Sequence, residues 1–380
     1  TDQYLINTVT GERRLLGKQR GGPYSWSPDG RFGLRFEGND WFGLNLATGQ
    51  ESNLTSGLGV SFYNEEHDSP SRPPSYGIGG WTRESKYILL NDRFDIWQVS
   101  PDGKLAKNLT DGFGRKHKIQ LRVLRTDARG DGDERQEGLD PAKSLLLRGE
   151  SLESRGSGFF SDMVDGRSEP RQLVFADRNY SNPVKARNSD TYMLTASTFR
   201  EYPDVVITDG QMRDFKKVTD ANPQIAGFHW GNSELVSFRS NDGIALKAAL
   251  YKPENFDPAK KYPLMVYIYE RLSQSVNSFA EPRPSNSISV PIYVSNGYLV
   301  LTPDIAYQLG YPGDSAMKCV LPAIQKLIDM GIVDDKRIGI QGHSWGGYQI
   351  AYMVTRTNIF RAAGPGAVVA NMISAYDGIR

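Results

Sequence analysis

The chain is 380 residues long, with 45 Lys and Arg against 44 Asp and Glu. That balance excludes a basic nucleic-acid face and an acidic tail, and the length allows two domains or more. A hydrophobic share of 38% with 39 glycines points to many turns and short strands, while 6 Trp, 19 Tyr and 16 Phe argue against disorder.

From the start of the chain to about residue 240, short strands alternate with turn signals. Thr1–Leu16 reads as the outer strands of an earlier blade of a repeated β-structure. A marker then recurs: an aromatic residue, a Ser or Thr, two turn formers and an apolar strand. It stands at Trp26-Ser27-Pro28-Asp29-Gly30 before Phe32–Phe36, and at Trp81-Thr82-Arg83-Glu84-Ser85 before Tyr87–Leu90. Weaker copies lie at Asp140–Lys143, at Ala186–Asp190 and at Trp230-Gly231-Asn232-Ser233 before Leu235–Phe238. The steps, roughly 45 to 60 residues, suit four-stranded blades with variable loops. Between markers come paired strands such as Trp41–Leu46 with Glu51–Leu54, and Asp95–Val99 with Lys104–Leu109. The pattern predicts a partial β-propeller over residues 1–240; a β-sandwich is the alternative.

Beyond Asn241-Asp242-Gly243 the character changes, and residues 241–380 read as an α/β domain. Strands are expected at Ile244–Tyr251, Leu264–Tyr269, Tyr298–Thr302 and Arg337–Gln341, and helices at Ser315–Met330 and Gly346–Thr357. The short, nearly continuous apolar runs suit strands buried on both faces of a parallel sheet. Pro322 is expected to kink the first helix or to mark a late start.

Gly342-His343-Ser344-Trp345-Gly346 falls between a strand and a helix. A serine on such a sharp turn lifts its hydroxyl above the sheet, glycines on both sides remove colliding side chains, and the helix N-terminus offers free N–H groups. The bare Gly-x-Ser-x-Gly pattern would arise by chance roughly 0.3 times in such a chain, so its context carries the reading. The histidines are His67, His117, His229 and His343; none follows Ser344. Asp377 is the only carboxylate after it, and nothing around Asp377 marks it as a catalytic acid. In this type of site the acid and base follow the serine, so both are expected beyond this chain.

No metal-binding spacing and no phosphate-binding glycine loop is present, so neither a metal nor a cofactor is implied. The single Cys319 permits no disulfide within the chain. No apolar run approaches the ~18 residues of a membrane span. The first residues, Thr1-Asp2-Gln3-Tyr4, have no initiator Met and no signal-peptide pattern, so the chain is expected to start inside a longer precursor.

The chain resembles the prolyl oligopeptidase family of serine peptidases, over essentially its whole length and most strongly from Trp230 to Tyr376. The resemblance rests on Asp242–Leu246 with Leu250–Pro253, on Lys261–Tyr269, on Gly297-Tyr298 through Asp304, and on Gly339–Tyr348. It implies a β-propeller followed by an α/β-hydrolase domain, both incomplete here. It implies Ser344 as nucleophile, and the Trp345 N–H and the Tyr269 hydroxyl as oxyanion donors. Trp345 and Tyr376 are implied as pocket walls, and Glu65 and Glu66 as a clamp for a substrate N-terminus. Independently of the resemblance, Arg20, Arg72 and other propeller arginines are alternative contacts for acidic substrates, and nothing in the sequence singles one out. Two departures stand out: Glu270-Arg271-Leu272 replaces Gly-Gly-Pro, and Pro303–Tyr307 lacks the usual Arg-Gly-Ser-Gly turn. The implied partner is a peptide; a homo-oligomer is compatible with the resemblance, and periplasm or exterior is favoured over cytoplasm. A carboxylesterase on the same fold and a catalytically dead binding propeller remain alternatives. The isolated 380-residue chain is expected to release no burst of product from an activated ester, which stopped-flow absorbance would check.

Overall fold

A computed structural model describes residues 2–18, 24–126, 138–166, 168–376 and 378. Arg20 and Asp377 lie outside the described residues. The first part of the chain is a series of antiparallel meanders. A two-stranded sheet pairs β1 (Gln3–Ile6) with β2 (Arg13–Gly17). A four-stranded sheet follows from β3 (Ser25–Trp26), β4 (Phe32–Glu37), β5 (Asp40–Asn45) and β6 (Glu51–Asn53). The next holds β7 (Ile78–Trp81), β8 (Ile88–Asn91), β9 (Ile96–Val99) and β10 (Ala106–Asn108). A short helix α1 (Phe113–His117) leads to β11 (Ile119–Leu124), β12 (Ser144–Ser151), β13 (Ser157–Met163) and β14 (Arg171–Ala176). The last such sheet contains β15 (Asn179–Lys185), β16 (Thr191–Ser197), β17 (Asp204–Asp209) and β18 (Lys216–Lys217).

Neighbouring sheets share cores, as propeller blades do. Leu34, Trp41 and Leu54 pack with Ile88, Leu90 and Val99 of the next sheet. Leu89, Ile96 and Leu109 pack with Leu121, Leu147 and Phe160. Leu146 and Phe159 pack with Tyr192, Leu194 and Val206. A strand that alternates its side chains can serve two neighbours, one on each face, and β8 does so: Leu89 faces one sheet and Ile88 and Leu90 the other.

The Ser-Pro-Asp-Gly turns explain the strand spacing. In the first, the Ser27 hydroxyl donates to Asp29 (2.8 Å) and accepts from the Phe32 N–H (2.9 Å). Ser100 repeats this with Asp102 (2.7 Å) and Leu105 (3.0 Å). The serine substitutes for a missing ladder partner, so the turn closes locally.

The second part is a six-stranded sheet in the order β19-β20-β22-β21-β23-β24. It comprises β19 (Asn232–Arg239), β20 (Ala245–Lys252), β21 (Tyr262–Tyr267), β22 (Leu299–Pro303), β23 (Val333–His343) and β24 (Ala362–Gly366). β21 pairs in parallel with β22 and β23, and β24 in parallel with β23, while β19 and β20 are antiparallel. Helices α2 (Val290–Ser295), α3 (Pro312–Asp329), α4 (Trp345–Val354) and α5 (Met372–Tyr376) accompany it. Val320, Ile324 and Leu327 of α3 and Ile350 and Met353 of α4 are buried with Leu264, Val266, Leu301 and Ile340 of the strands. Among the described residues no helix is long and apolar enough to cross a membrane.

Two expectations are corrected. The marker at Trp230–Ser233 opens no further meander: β19 pairs with β20 from Asn232↔Lys252 to Arg239↔Ala245, so the mixed sheet begins before residue 240. Asn241-Asp242-Gly243 is the hairpin turn between them, with Gly243 at φ 80°. Trp230 instead plugs the junction, its indole N–H donating to the Phe199 carbonyl (2.6 Å) and its ring stacking on Phe279. Pro322 marks no late start: it lies inside α3, which begins ten residues earlier at Pro312. A proline leaves the carbonyl four residues earlier without its donor. Here that carbonyl, on Lys318, accepts the Asn241 N–H at 2.9 Å.

On β13, burial pushes the Asp162 carboxyl up to about 6, with the Asp165 charge adding and the Met163 N–H opposing. Its Oδ2 is buried without a donor among the described residues. Because the folded value exceeds the ordinary one, the native state favours the protonated acid. The cost is absent below about pH 4 and fully present above about pH 6. Asp162→Asn is therefore expected to raise the melting temperature at pH 8 relative to the parent chain and to change it little at pH 4, as differential scanning calorimetry would show.

Candidate active site

Strand β23 ends at His343 and helix α4 begins at Trp345, which leaves Ser344 alone to turn the chain. Its backbone lies at φ 54° and ψ −108°, a strained region for a residue with a Cβ. Neighbouring hydrogen bonds impose it: the Ser344 N–H donates to the Gly366 carbonyl of β24 (2.9 Å), and the Tyr348 N–H donates to the Ser344 carbonyl (3.0 Å).

The glycines are required by close approach. A Cβ on Gly342 would stand 2.8 Å from the Ile268 carbonyl oxygen, and one on Gly346 2.3 Å from the same atom. A Cβ on Gly347 would stand 2.4 Å from the Gly366 oxygen. The Ile268 N–H donates to the Gln341 carbonyl (3.1 Å), continuing the β21–β23 ladder one residue past its end. Tyr269 follows in the turn, and the position of a Gly346 Cβ lies 3.7 Å from its Cα. The structure thus brings the Tyr269 backbone against the first turn of α4. The N–H groups of that turn, Trp345 included, have no acceptor within the helix.

Aromatic rings line this corner. Trp345 stacks on Tyr348 (centroids 5.2 Å apart) and tilts against Tyr307 at 6.5 Å. Tyr269 is 36% exposed. Its carbonyl accepts from the Tyr307 hydroxyl (2.5 Å) and from Gln349 Nε2 (2.9 Å).

Glu66 also reaches this region. Its Oε1 accepts from Arg93 (2.8 Å) and from Arg271 (3.3 Å), which stands two residues past Tyr269. Asp68 accepts the Tyr307 N–H at 3.2 Å. The Glu65 side chain is exposed, and its backbone N–H donates to the Tyr76 hydroxyl (3.0 Å). Tyr376 is not brought in: it is 91% exposed on the five-residue α5, and among the described residues its ring touches none of those around Ser344.

No histidine bonds to Ser344 among the described residues. His67 meets Ser71, His229 meets Glu254, His343 meets Asn286, and His117 packs on Phe113.

A carboxylate that the sequence reading left aside organises the loop after Tyr269. Asp304, 2% exposed, accepts from the N–H groups of Leu272 (2.9 Å) and Ser273 (2.8 Å) and from the Ser273 hydroxyl (2.6 Å). Arg155, from the β12–β13 turn, completes it at 3.2 Å. An acid just past the wholly buried strand Leu299–Pro303 is the sequence signal that could have marked Asp304; Arg155 has none.

A mixed sheet flanked by helices, with a serine on a strained turn between a parallel strand and a helix, is the arrangement in which serine hydrolases carry their nucleophile. Residues 310–379 match the sequence model of the prolyl oligopeptidase family, so the resemblance holds over this segment. Dipeptidyl peptidase 8 of Mus musculus is 31% identical over 153 residues, covering 36% of this chain and 17% of the relative. Prolyl endopeptidase FAP of Bos taurus is 32% identical over 122 residues, 28% of this chain and 15% of the relative. The chain thus spans less than a fifth of the length of these curated relatives. A crystal structure from Bacteroides ovatus, assigned as a dipeptidyl aminopeptidase IV, superposes with a TM-score of 0.60 at 18% identity, covering 97% of this chain and 55% of that one. It shares the fold.

Removing one partner of a buried ion pair strands the other. With side chains 15% and 2% exposed, Arg155 and Asp304 form such a pair. Asp304→Asn is expected to cost about 3–5 kcal/mol in urea unfolding.

Proposed function

We propose that the chain carries the nucleophile of a serine peptidase that hydrolyses peptide bonds of oligopeptides through an acyl-enzyme. The observation that supports this most is the backbone of Ser344, held at φ 54° on a turn that only glycines at 342 and 346 permit. In this reading the Ser344 hydroxyl attacks the scissile carbonyl and the carbonyl oxygen becomes an oxyanion. The Trp345 N–H and the Tyr269 hydroxyl receive that charge. The tetrahedral intermediate collapses, the amine leaves with a proton, and water later releases the acid.

In this reading the triad acid and base come from outside these 380 residues, since no histidine follows Ser344 and, among the described residues, none bonds to it. The meanders up to β18 act as a partial propeller that restricts access by size, and the mixed sheet from β19 onward is the first portion of the hydrolase domain. Trp345, with Tyr307 and Tyr348 beside it, walls the pocket for the side chain before the scissile bond. Glu65 and Glu66 form its propeller-side rim. Their charge suits a substrate ammonium, which would compete with Arg271 for Glu66.

The test is labelling by a fluorophosphonate of the chain extended through the rest of its hydrolase domain. Ser344→Ala should abolish labelling, and Tyr269→Phe should slow it by about 10²–10³. Unchanged labelling of Ser344→Ala would overturn the proposal. Paired peptide and ester substrates then separate a peptidase from an esterase, because the turn itself does not choose between them.

A further inference from the structure

Tyr307 stands where the family's usual turn is replaced, and it joins three parts of the molecule. Its hydroxyl donates to the Tyr269 carbonyl (2.5 Å). Gln349, fully buried on α4, donates from Nε2 to that carbonyl (2.9 Å) and to the Tyr307 hydroxyl (2.5 Å). The main chain of Tyr307 is held in turn by Asp68, in the loop before β7. The result is a closed triangle of hydrogen bonds around one backbone oxygen.

The triangle has a defined polarity. Reversing the Gln349 amide would set its Oε1 against the Tyr269 carbonyl oxygen, two acceptors facing each other. The Gln349 Oε1 is accordingly left buried with no donor among the described residues. An orphaned buried acceptor costs free energy, so the fold accepts that cost to direct both N–H groups at Tyr269 and Tyr307. Burial, with the Glu270 charge adding to it, pushes the Tyr307 phenol far above its ordinary value, so it remains a donor throughout the working pH range.

We propose that Tyr307 and Gln349 are positioning residues that fix Tyr269 in place to receive the oxyanion. This rests on the reading of Tyr269 as an oxyanion donor. A carbonyl locked from two directions fixes the peptide plane after Tyr269 and limits the swing of its side chain. Donors must sit within about 3 Å of the developing charge, and a misplacement of about 1 Å can cost 10²-fold in rate. The same contacts tie the donor to α4, the helix that carries the Trp345 N–H, so both donors move as one body. Asp68 adds a link from the meander region, whose position is thereby sensed at the oxyanion.

The test is a double-mutant cycle in the chain extended through its hydrolase domain, read as kcat and KM for a chromogenic peptide. Tyr307→Phe keeps the ring and removes only the donor; Gln349→Met keeps the volume and removes both N–H groups. Each is expected to lower kcat about tenfold with KM within about twofold. In a Tyr269→Phe background each should lower kcat less than about twofold, because the group they position is gone. Losses that multiply fully in that background, or that appear in KM, would overturn the assignment. Each substitution is read against its own cycle with Tyr269→Phe, so one misfolded variant leaves the other to decide. Activity retained by Ser344→Ala would instead defeat the underlying peptidase reading, whatever the cycle gave.

Discussion

One backbone oxygen constrains the site more than any side chain does. The Ile268 carbonyl occupies the space where side chains on both residue 342 and residue 346 would stand. It can do so because β21 and β23 run in parallel and the ladder continues to Ile268. Seating α4 on that oxygen leaves Ser344 a single way to turn between strand and helix. The positive φ of Ser344 is thus a consequence of sheet and helix closing on one atom, with the strain absorbed by the packing of α4. That packing is apolar and complete: Ile350 and Met353 are fully buried against the strands.

The second organising group is Asp304. Its carboxylate takes up donors from the loop after Tyr269 and from Arg155 in the meander region. A charge buried this deeply is tolerated only when its lone pairs are filled. One acid therefore does two tasks at once, shaping the loop beside the candidate site and docking one region on the other. Asn277 reinforces the joint by donating to the Arg155 carbonyl at 2.9 Å. Glu66 with Arg271, and Asp68 with Tyr307, cross the same gap nearer the serine. The unusual Glu270-Arg271-Leu272 sequence makes sense in this setting, since the loop is held by charge and hydrogen bonds in place of a glycine-rich turn.

The meanders follow a different logic. The two inner four-stranded sheets each bury one face on the sheet before and one on the sheet after, so their stability depends on having neighbours. Serine-closed turns set the spacing, and the aromatic residue that precedes them sits at the edge of the shared cores: Trp81 belongs to the core between the first two four-stranded sheets. Trp230 retains the marker's aromatic position but serves the next region, closing the seam with Phe199 and Phe279.

What the sequence determined alone was what short stretches dictate. Alternation and Ser-Pro-Asp-Gly turns specify meanders because the turn serine bonds within five residues. Gly-x-Ser-x-Gly between a strand and a helix specifies the turn because its clashes are local. The strands Leu264–Tyr269 and Tyr298–Thr302 were legible within two residues, since burial on both faces leaves continuous apolar runs. Tertiary structure decided the rest. β19 joins the mixed sheet through a hairpin that the marker pattern concealed. Pro322 stays helical because a distant Asn241 N–H fills the carbonyl it frees. Tyr307, Gln349 and Asp304 reach Tyr269 and its loop, and Glu66 reaches Arg271, across separations in sequence that no periodicity records. Such contacts follow from which loops the assembled sheets bring together, and only the folded chain fixes that.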